Sequence, residues 1–303
     1  MRASAATAML EQLAEQQRRI LSRWRALLLL RRATFALPPE RRRWERLPRD
    51  GSDVQPVLRQ MVRRGDLDVI ADASDLYQVS VPYARTRFIT EDEVLGEIHP
   101  FSAISHFSAL VFHQLTDQLP KHLTVSIAAD GRGGLLPLGT DASDWDGLPL
   151  VRGKRASRIL DQPVQWFRLR PARFFGMQEY RPRGYPVRVM TPGRTLLDGL
   201  LAPESCGGLE NVLRAWVRAG ETLDLDELVA DVERFDVQVL RQRVGYVLDQ
   251  LALRHPATER WQRHIQRGGS IKLLAAAPFA STFDERWSLS LNGPVEVLQQ
   301  GAP

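Results

Sequence analysis

The chain carries one cysteine, Cys206, in 303 residues, so an internal disulfide is excluded and no thiolate cluster is available for zinc. A reducing compartment is the expectation, and with no signal-peptide pattern near the start the chain is expected to be cytoplasmic. Long apolar runs are missing too. The longest, Ala26 to Leu30, is far too short to cross a bilayer and is flanked by Arg23, Arg25, Arg31 and Arg32. Catalytic signatures are equally scarce. There is no H-E-x-x-H, and Gly131-Arg132-Gly133-Gly134 lacks the Gly-Lys-Ser or Gly-Lys-Thr ending of a phosphate loop, so it reads as a turn. His99, His106 and His113 stand seven apart, roughly 10 Å along a helix, too far for two of them to share a metal. Ser105 and Ser108 beside His106 diverge on a helix rather than forming a nucleophile pair, and packing is the expected role of His106 and His113. Asp144 and Asp146 are expected to solvate a Gly-rich loop. No catalytic residue, cofactor or metal is therefore assigned.

Lysine is the last scarcity: three of the 41 basic residues are Lys, so the positive charge is arginine and it is unevenly placed. Residues 1–64 hold 15 arginines against six acids, and residues 65–99 hold two against eight. From 150 to 195 there are 11 basic residues against two acids; beyond 200 the balance reverses to 11 against 14. Blocks of this kind suit a polyanionic partner for the first and third segments. Hydrophobic residues are 44% and charged residues 25%, enough for an ordinary core, and the length favours two domains.

Ser52 to Pro82 organises the first block. Its first half has helical spacing, with Val54, Leu58, Met61 and Val62 on a buried stripe. Gln55, Arg59 and Arg63 fall on another face, with Gln60 and Arg64 beside them. Pro56 is harmless only near a helix start, so Asp53 is the expected N-cap, with Ser52 and Gln55 an alternative capping box. Gly65 suits a left-handed helix end. Leu67, Val69 and Ala71 then alternate with Asp66, Asp68 and Ile70, a turn falls at Ala73, Ser74 and Asp75, and Tyr77, Val79 and Val81 alternate with Leu76, Gln78 and Ser80, which is a hairpin pattern. A helix followed by a tight hairpin is the shape of a winged helix-turn-helix reading head.

Upstream, the recurrence of Leu10, Leu13, Ile20, Leu21, Trp24, Leu27 and Leu28 predicts a long helix opening at Ser4. Glu40 to Leu47, bearing Arg41, Arg42, Arg43 and Arg46 around Trp44, is either the second helix of the unit or a basic loop. Downstream, strands are expected at Leu123 to Ala128, Gln165 to Leu169, Val187 to Met190 and Trp287 to Leu291. Helices are expected at Gly193 to Leu201, Leu209 to Ala219, Leu225 to Phe235, Val237 to Leu253 and Thr258 to Gln266. The connection near Arg168 to Arg188 interleaves Arg168, Arg170, Arg173, Arg181 and Arg183 with Phe174, Phe175, Tyr180 and Tyr185. That composition suits RNA stacking or an electropositive face, and equally a strand with core-facing Phe.

The second half carries ordered sequence pieces: Ser105-His106-Phe107-Ser108-Ala109-Leu110, Leu115-Thr116-Asp117-Gln118 with Pro120, and Thr191-Pro192 with Arg194-Thr195-Leu196-Leu197-Asp198. Pro203, Gly207-Gly208, Arg243-Val244-Gly245-Tyr246-Val247-Leu248, Asp284-Glu285-Arg286-Trp287 and Leu291-Asn292 follow. In this order they resemble the AbiEi antitoxins, the regulator half of a bacterial type IV toxin–antitoxin pair. The resemblance implies an N-terminal winged helix-turn-helix that binds operator DNA and represses its own operon. It also implies a C-terminal α+β domain that counteracts a nucleotidyltransferase-like toxin, and no enzymatic activity.

The expectation is an α+β chain with a winged helix-turn-helix over residues 1–88 and a larger mixed domain over 89–303. Gln55, Arg59 and Arg63 would read base edges of duplex DNA, and Gln60 or Arg64 would hold phosphate. Arg18, Arg19, Arg41, Arg42 and Arg43 would contact phosphates without sequence preference. Asp72 and Asp75 at the wing tip do not suit phosphate, so anchoring falls to the first fifty residues. The operator is expected to hold inverted half-sites. The alternatives are an RNA-handling or nuclease-like enzyme with its site in 165–190, and a regulator without a toxin partner.

Overall fold

The computed structural model describes residues 2–70, 75–81, 84, 88–265 and 271–299. In chain order the elements are α1 (Ala5–Glu15), β1 (Ile20–Ser22), α2 (Arg23–Ala36), α3 (Gly51–Arg63), β2 (Leu67–Val69), β3 (Leu76–Val79), α4 (Glu91–Ile98), β4 (Ala103–Ile104), α5 (His106–Phe112) and β5 (Leu123–Ala128). They continue with β6 (Arg158–Ile159), β7 (Gln162–Leu169), β8 (Met177–Tyr180), β9 (Val187–Met190), α6 (Pro192–Leu201), α7 (Leu209–Ala219), α8 (Leu225–Phe235), α9 (Gln238–Gln250) and α10 (Pro256–Arg263). Last come β10 (Ile271–Lys272), β11 (Phe283–Asp284), β12 (Leu289–Ser290) and α11 (Glu296–Gln299). The chain is a mixed α+β protein. It forms two compact units that are not contiguous in sequence. Unit one is Met1–Ser102 with Ile127–Gln162 and Glu179–Arg188, and unit two is the remainder. The boundary drawn from sequence between residues 88 and 89 falls inside unit one.

The N-terminal part of unit one is built on three helices, α1, α2 and α3, and a small sheet. Ser4 caps α1, its hydroxyl accepting from the Thr7 N–H, and Ala6, Met9 and Leu13 are buried. The single long helix expected from Ser4 is two helices with a strand between them. Gln17 takes a positive φ of 52°, and the Arg18 N–H turns back to the Leu13 carbonyl at 3.0 Å. Ile20, Leu21 and Ser22 then pair antiparallel with Gln78, Tyr77 and Leu76. Apolar Ile20 and Leu21 continue the helical spacing by chance, and the long-range strand partner overrides it. Ser22 then caps α2, its hydroxyl accepting from the Arg25 N–H at 3.2 Å.

The helix α3 begins earlier than expected. Asp50 is the N-cap, its carboxylate accepting from the Ser52 N–H at 2.7 Å, while Asp53 accepts instead from the Arg49 N–H at 2.7 Å. Pro56 therefore lies inside the helix rather than at its start. Val54, Leu58 and Met61 are buried against α1, α2 and the sheet. Gly65, at φ 72°, ends the helix as expected. Its N–H reaches the Val62 carbonyl and the Asp66 N–H reaches the Met61 carbonyl, the paired bonds of a left-handed cap. The sheet order is β1-β3-β2, with Leu67 opposite Val79 and Val69 opposite Tyr77. Ala71 of the expected first strand, Asp72, the expected turn residues Ala73 and Ser74, and Pro82 lie outside the described residues. Glu40 to Leu47 resolves as a 3-10 turn, Pro39–Arg41, followed by loop.

Within unit two, β4 pairs with the first part of β5 on one side and the end of β9 on the other. Ile104 of β4 faces Val125 of β5 antiparallel and Val189 of β9 parallel. β8 lies within the basic, aromatic connection, for which a strand was one of the readings. Helices α6 to α9 bury Leu196, Leu213, Trp216, Val232 and Val247 in one core with Trp287. α7 and α8 have the bounds read from the sequence. Of the expected Thr258 to Gln266 helix, Gln266 lies outside the described residues, and α10 starts at Pro256. No helix among the described residues is long and apolar enough to cross a membrane.

Candidate nucleic-acid interface

On α3 the buried stripe fixes what the opposite face presents. Arg59, Gln60, Arg63 and Arg64 are exposed and Gln55 is half-buried. Gln55, Arg59, Val62 and Arg63 line one side of a groove of about 530 Å³, and Val69 and Tyr77 of the hairpin line the other. Val69 is 63% exposed on that wall, an apolar side chain facing outward. The Gln55 Oε1 is buried and has no hydrogen-bond partner among the described residues. The geometry thus brings together three of the expected base readers, Gln55, Arg59 and Arg63, on one groove wall.

Arg64 does not join them. Its guanidinium pairs with Asp66 at 3.1 Å, just past the helix end, so it is drawn along the chain rather than projecting freely. Arg41, the last residue of the 3-10 turn, and Arg43, on the loop after it, are exposed, and this segment is strapped to the chain start. The Ala3 N–H donates to the Arg41 carbonyl at 2.8 Å and the Arg43 N–H donates to the Ala3 carbonyl at 3.0 Å. Arg42 points inward, half-buried, its guanidinium 6.0 Å from the Trp44 ring, which separates it from its two neighbours. Asp75, read as a liability at the wing tip, is paired with Arg23, and Lys154 lies 4.0 Å away. Its charge is compensated. Asp72 is outside the described residues.

Arg18 and Arg19 correct the sequence reading. Both are buried, 8% and 4% exposed, and neither is available to phosphate. Arg18 donates to Glu97 at 3.1 Å, and Arg19 makes a two-pronged pair with Glu93, at 2.9 Å through Nε and 2.5 Å through Nη2. Arg25 also donates to Glu97, at 3.0 Å, and to the Leu138 carbonyl at 2.8 Å, while the Ser22 hydroxyl takes the other Glu97 oxygen. Burial pushes the Glu93 carboxyl up, and Arg19 opposes the shift. Asp144 is likewise not a solvated loop residue, because Arg32 grips it through two nitrogens. The missed signal was available in part: Glu93 and Glu97 are four apart on one helix face, but nothing local says which arginines they meet.

The second basic block divides: Arg194 is buried and Arg173 and Arg188 are half-buried, while the other eight basic residues are exposed. Phe174 and Phe175 in unit two, and Tyr185 in unit one, are buried and cannot offer faces to bases. Within unit two, Arg194 donates to Asp198 at 3.0 Å and to the carbonyls of Phe175 and Arg173 at 2.7 and 3.0 Å. Arg173 donates to the Phe235 carbonyl. Within unit one, Arg188 donates to the Pro100 carbonyl at 3.0 Å. The core-facing-Phe alternative describes this stretch better than a stacking platform. Tyr180 is half-buried, so three of the four aromatic residues read in this connection are unavailable for stacking.

The histidines and the ordered sequence pieces also have packing partners. The His106 ring stacks on Phe167 with centroids 3.9 Å apart, and its Nδ1 is 3.0 Å from the Ser105 hydroxyl. His113 Nε2 meets the Met190 carbonyl at 2.7 Å. Burial lowers the proton affinity of both rings. Arg243 donates to the Leu200 carbonyl at 2.6 Å and the Lys272 carbonyl at 2.8 Å. Gly245 lies under the Trp287 ring, where an added Cβ would come within 2.1 Å, and Trp287 Nε1 donates to Asp249 at 2.6 Å. His106, Arg243, Gly245 and Trp287 thus pack in the interior of unit two. Among the described residues no group of three or more His, Cys, Asp or Glu is placed to hold a metal.

No protein-family model matches the chain, and no curated protein matches it. A solved structure that it is similar to is the crystal structure of RV2827C protein from Mycobacterium tuberculosis. The two share 15% identity over 99% of this chain and 96% of that one, with a TM-score of 0.47.

Proposed function

We propose that the N-terminal part of unit one is a winged helix-turn-helix that binds duplex DNA, and that the chain is a cytoplasmic antitoxin that represses its own operon. One observation carries the DNA reading. Arg59 and Arg63 project with Gln55 from one groove wall of α3, while the opposite face of the same helix is buried over a β1-β3-β2 sheet. A single helix fits the major groove, where Arg pairs with guanine edges and Gln with adenine. Arg41 and Arg43 supply charge beside it for phosphates. The antitoxin part rests on the resemblance of the second half to AbiEi proteins, in which a nucleotidyltransferase-like toxin is the partner.

The test is a footprint of the purified chain on the DNA upstream of its own reading frame. Two protected inverted half-sites are expected, spaced by about one helical turn, roughly 34 Å. Absence of any protected segment at low salt would remove the DNA reading. Co-expression with the product of an adjacent nucleotidyltransferase-like frame tests the second part separately. Growth restored only when this chain is present is the expected result, and no such frame, or no rescue, would leave a regulator without a toxin.

A further inference from the structure

Unit one contains a cleft of about 420 Å³ that the DNA reading does not use. It opens between the start of α2, the start of α3 and residues 145–154, and its volume is that of a small-molecule site. The wall is apolar, made by Trp24, Leu27, Leu76, Ile98, Trp145 and Leu148. Trp24 and Trp145 lie side by side there, centroids 6.0 Å apart and tilted by 32°. The charged groups lining the cleft are Arg23, Arg49, Arg152 and Lys154 against Asp50, Asp75 and Glu97.

Every carboxylate of that set is already engaged. Glu97 takes Arg18 and Arg25, Asp75 takes Arg23 with Lys154 at 4.0 Å, and Asp50 accepts from the N–H and hydroxyl of Ser52. Arg49 and Arg152 are exposed, and neither guanidinium has a carboxylate partner among the described residues. The Arg23 Nε is buried and lacks a hydrogen-bond partner among them. An apolar, aromatic-lined wall with uncompensated cations at its mouth selects a ligand with the converse pattern.

We infer that this cleft binds a small aromatic organic anion, with the ring system against Trp24, Trp145 and Leu148 and the anionic group at Arg23, Arg49 and Arg152, and that occupancy alters the presentation of α3. The link to α3 is Arg23. Its stem crosses Gly51, the first residue of α3, where an added Cβ would stand 2.7 Å from the Arg23 Cδ. Its head holds Asp75 at the entry to β3. An anion that draws the guanidinium from Asp75 therefore disturbs the helix start and the hairpin together. This second half of the inference rests on the DNA reading above; the binding itself does not.

Calorimetry on the full chain tests the site with four probes. These are 1-naphthoate, 1-naphthyl phosphate, the neutral 1-naphthylmethanol and acetate. One naphthalene anion per chain is expected, bound about tenfold more tightly than naphthylmethanol, with acetate not binding. The better of naphthoate and naphthyl phosphate identifies the anionic group. Replacing both Arg49 and Arg152 with Ala should bring the anions to the level of naphthylmethanol and leave the neutral probe unchanged. Leu148→Trp, which fills the cleft from a half-buried position, should abolish all binding. Equal affinity for anion and neutral probe, or binding that survives Leu148→Trp in a chain that melts like the parent, overturns the site. Both arginines are exposed, so their variant fold is secure even where Leu148→Trp is not tolerated. Upstream-DNA affinity measured with saturating naphthalene anion should shift at least about threefold. An unchanged affinity overturns the regulatory half alone. A chain that never bound the DNA would overturn the DNA reading and leave the calorimetric result in place.

Discussion

The arginines around β1 and the start of α2 and those on the exposed face of α3 come from the same basic stretch of chain, yet they end in opposite environments. Arg18, Arg19 and Arg25 are buried and locked onto Glu93 and Glu97. Arg59 and Arg63 are in solvent beside a groove. The difference lies in what each supporting element meets. β1 and α2 are covered by α4, whose Glu93 and Glu97 arrive from more than seventy residues away. Among the described residues, the exposed side of α3 lines an open groove with its own hairpin. A buried guanidinium needs a carboxylate or carbonyl to offset its lost hydration, so the first set serves the fold. The second set keeps its donors free for a partner.

The largest expected effect falls on the buried set. Glu97→Ala leaves Arg18 and Arg25 buried without their shared carboxylate, and removal of one partner from such a site costs about 3–5 kcal/mol. Urea unfolding followed by tryptophan fluorescence should show the loss in the transition that reports Trp24 and Trp145. A change under about 0.5 kcal/mol would mean these arginines behave like the exposed ones, and the contrast between the two sets would fail.

Arg59→Ala should do the reverse. The unfolding midpoint stays within about 0.5 kcal/mol of the parent, while discrimination at one base pair of the protected site falls by roughly 1–3 kcal/mol. Competition binding with single-base operator variants reads this directly. Equal loss on every sequence would make Arg59 a phosphate contact and move base reading elsewhere on the chain. Arg41→Ala and Arg43→Ala come next. Each should weaken all duplexes alike and reduce the dependence of log K on log salt by about one. Arg42→Ala, with its guanidinium against Trp44, should change the salt dependence less than either.

These contrasts also mark what the sequence could tell. The helix at α3 was legible because Val54, Leu58 and Met61 repeat at helical spacing and Gly65 stops the chain where a left-handed residue is needed. Leu209–Ala219 and Leu225–Phe235 were legible for the same reason, their apolar faces being strongly periodic. The break between α1 and α2 was not, since Ile20–Ser22 becomes a strand only by pairing with residues 76–78. Local spacing carries no record of so distant a partner. The candidate site was half legible. Spacing placed Gln55, Arg59 and Arg63 on one face, but charge counting grouped Arg18 and Arg19 with Arg41 and Arg43. Exposure decides that question, and it depends on the arrival of Glu93 and Glu97. The cleft under α2 gave no sequence signal at all, because its lining is assembled from five separate segments.

The smallest expected effect sets the two units against each other through pH. In unit one, burial lowers the His99 imidazole to about 4, with the Arg155 charge acting the same way. The folded ring binds a proton less readily than the unfolded one, whose pKa is about 6.5. His99 therefore contributes stability above pH 6.5 that is lost as pH falls toward about 4. In unit two, burial raises Asp231 to about 6 against the opposing charge of Arg194. Here the folded group holds its proton more tightly than the unfolded one, at about 3.9. Its contribution is largest below that value and is lost as pH rises through about 6. Over the same interval the two units are expected to drift in opposite directions, each on the order of 1 kcal/mol. A melt of the whole chain hides most of this by cancellation. Hydrogen exchange corrected for intrinsic rates does not, because peptides from α4 and α8 report the units separately. Between pH 6.5 and 4, protection should fall in α4 and rise in α8, and Asp231→Asn should flatten the α8 response alone. Parallel changes in both peptides, or an unchanged α8 slope in the Asn variant, would show that neither buried group governs its own unit.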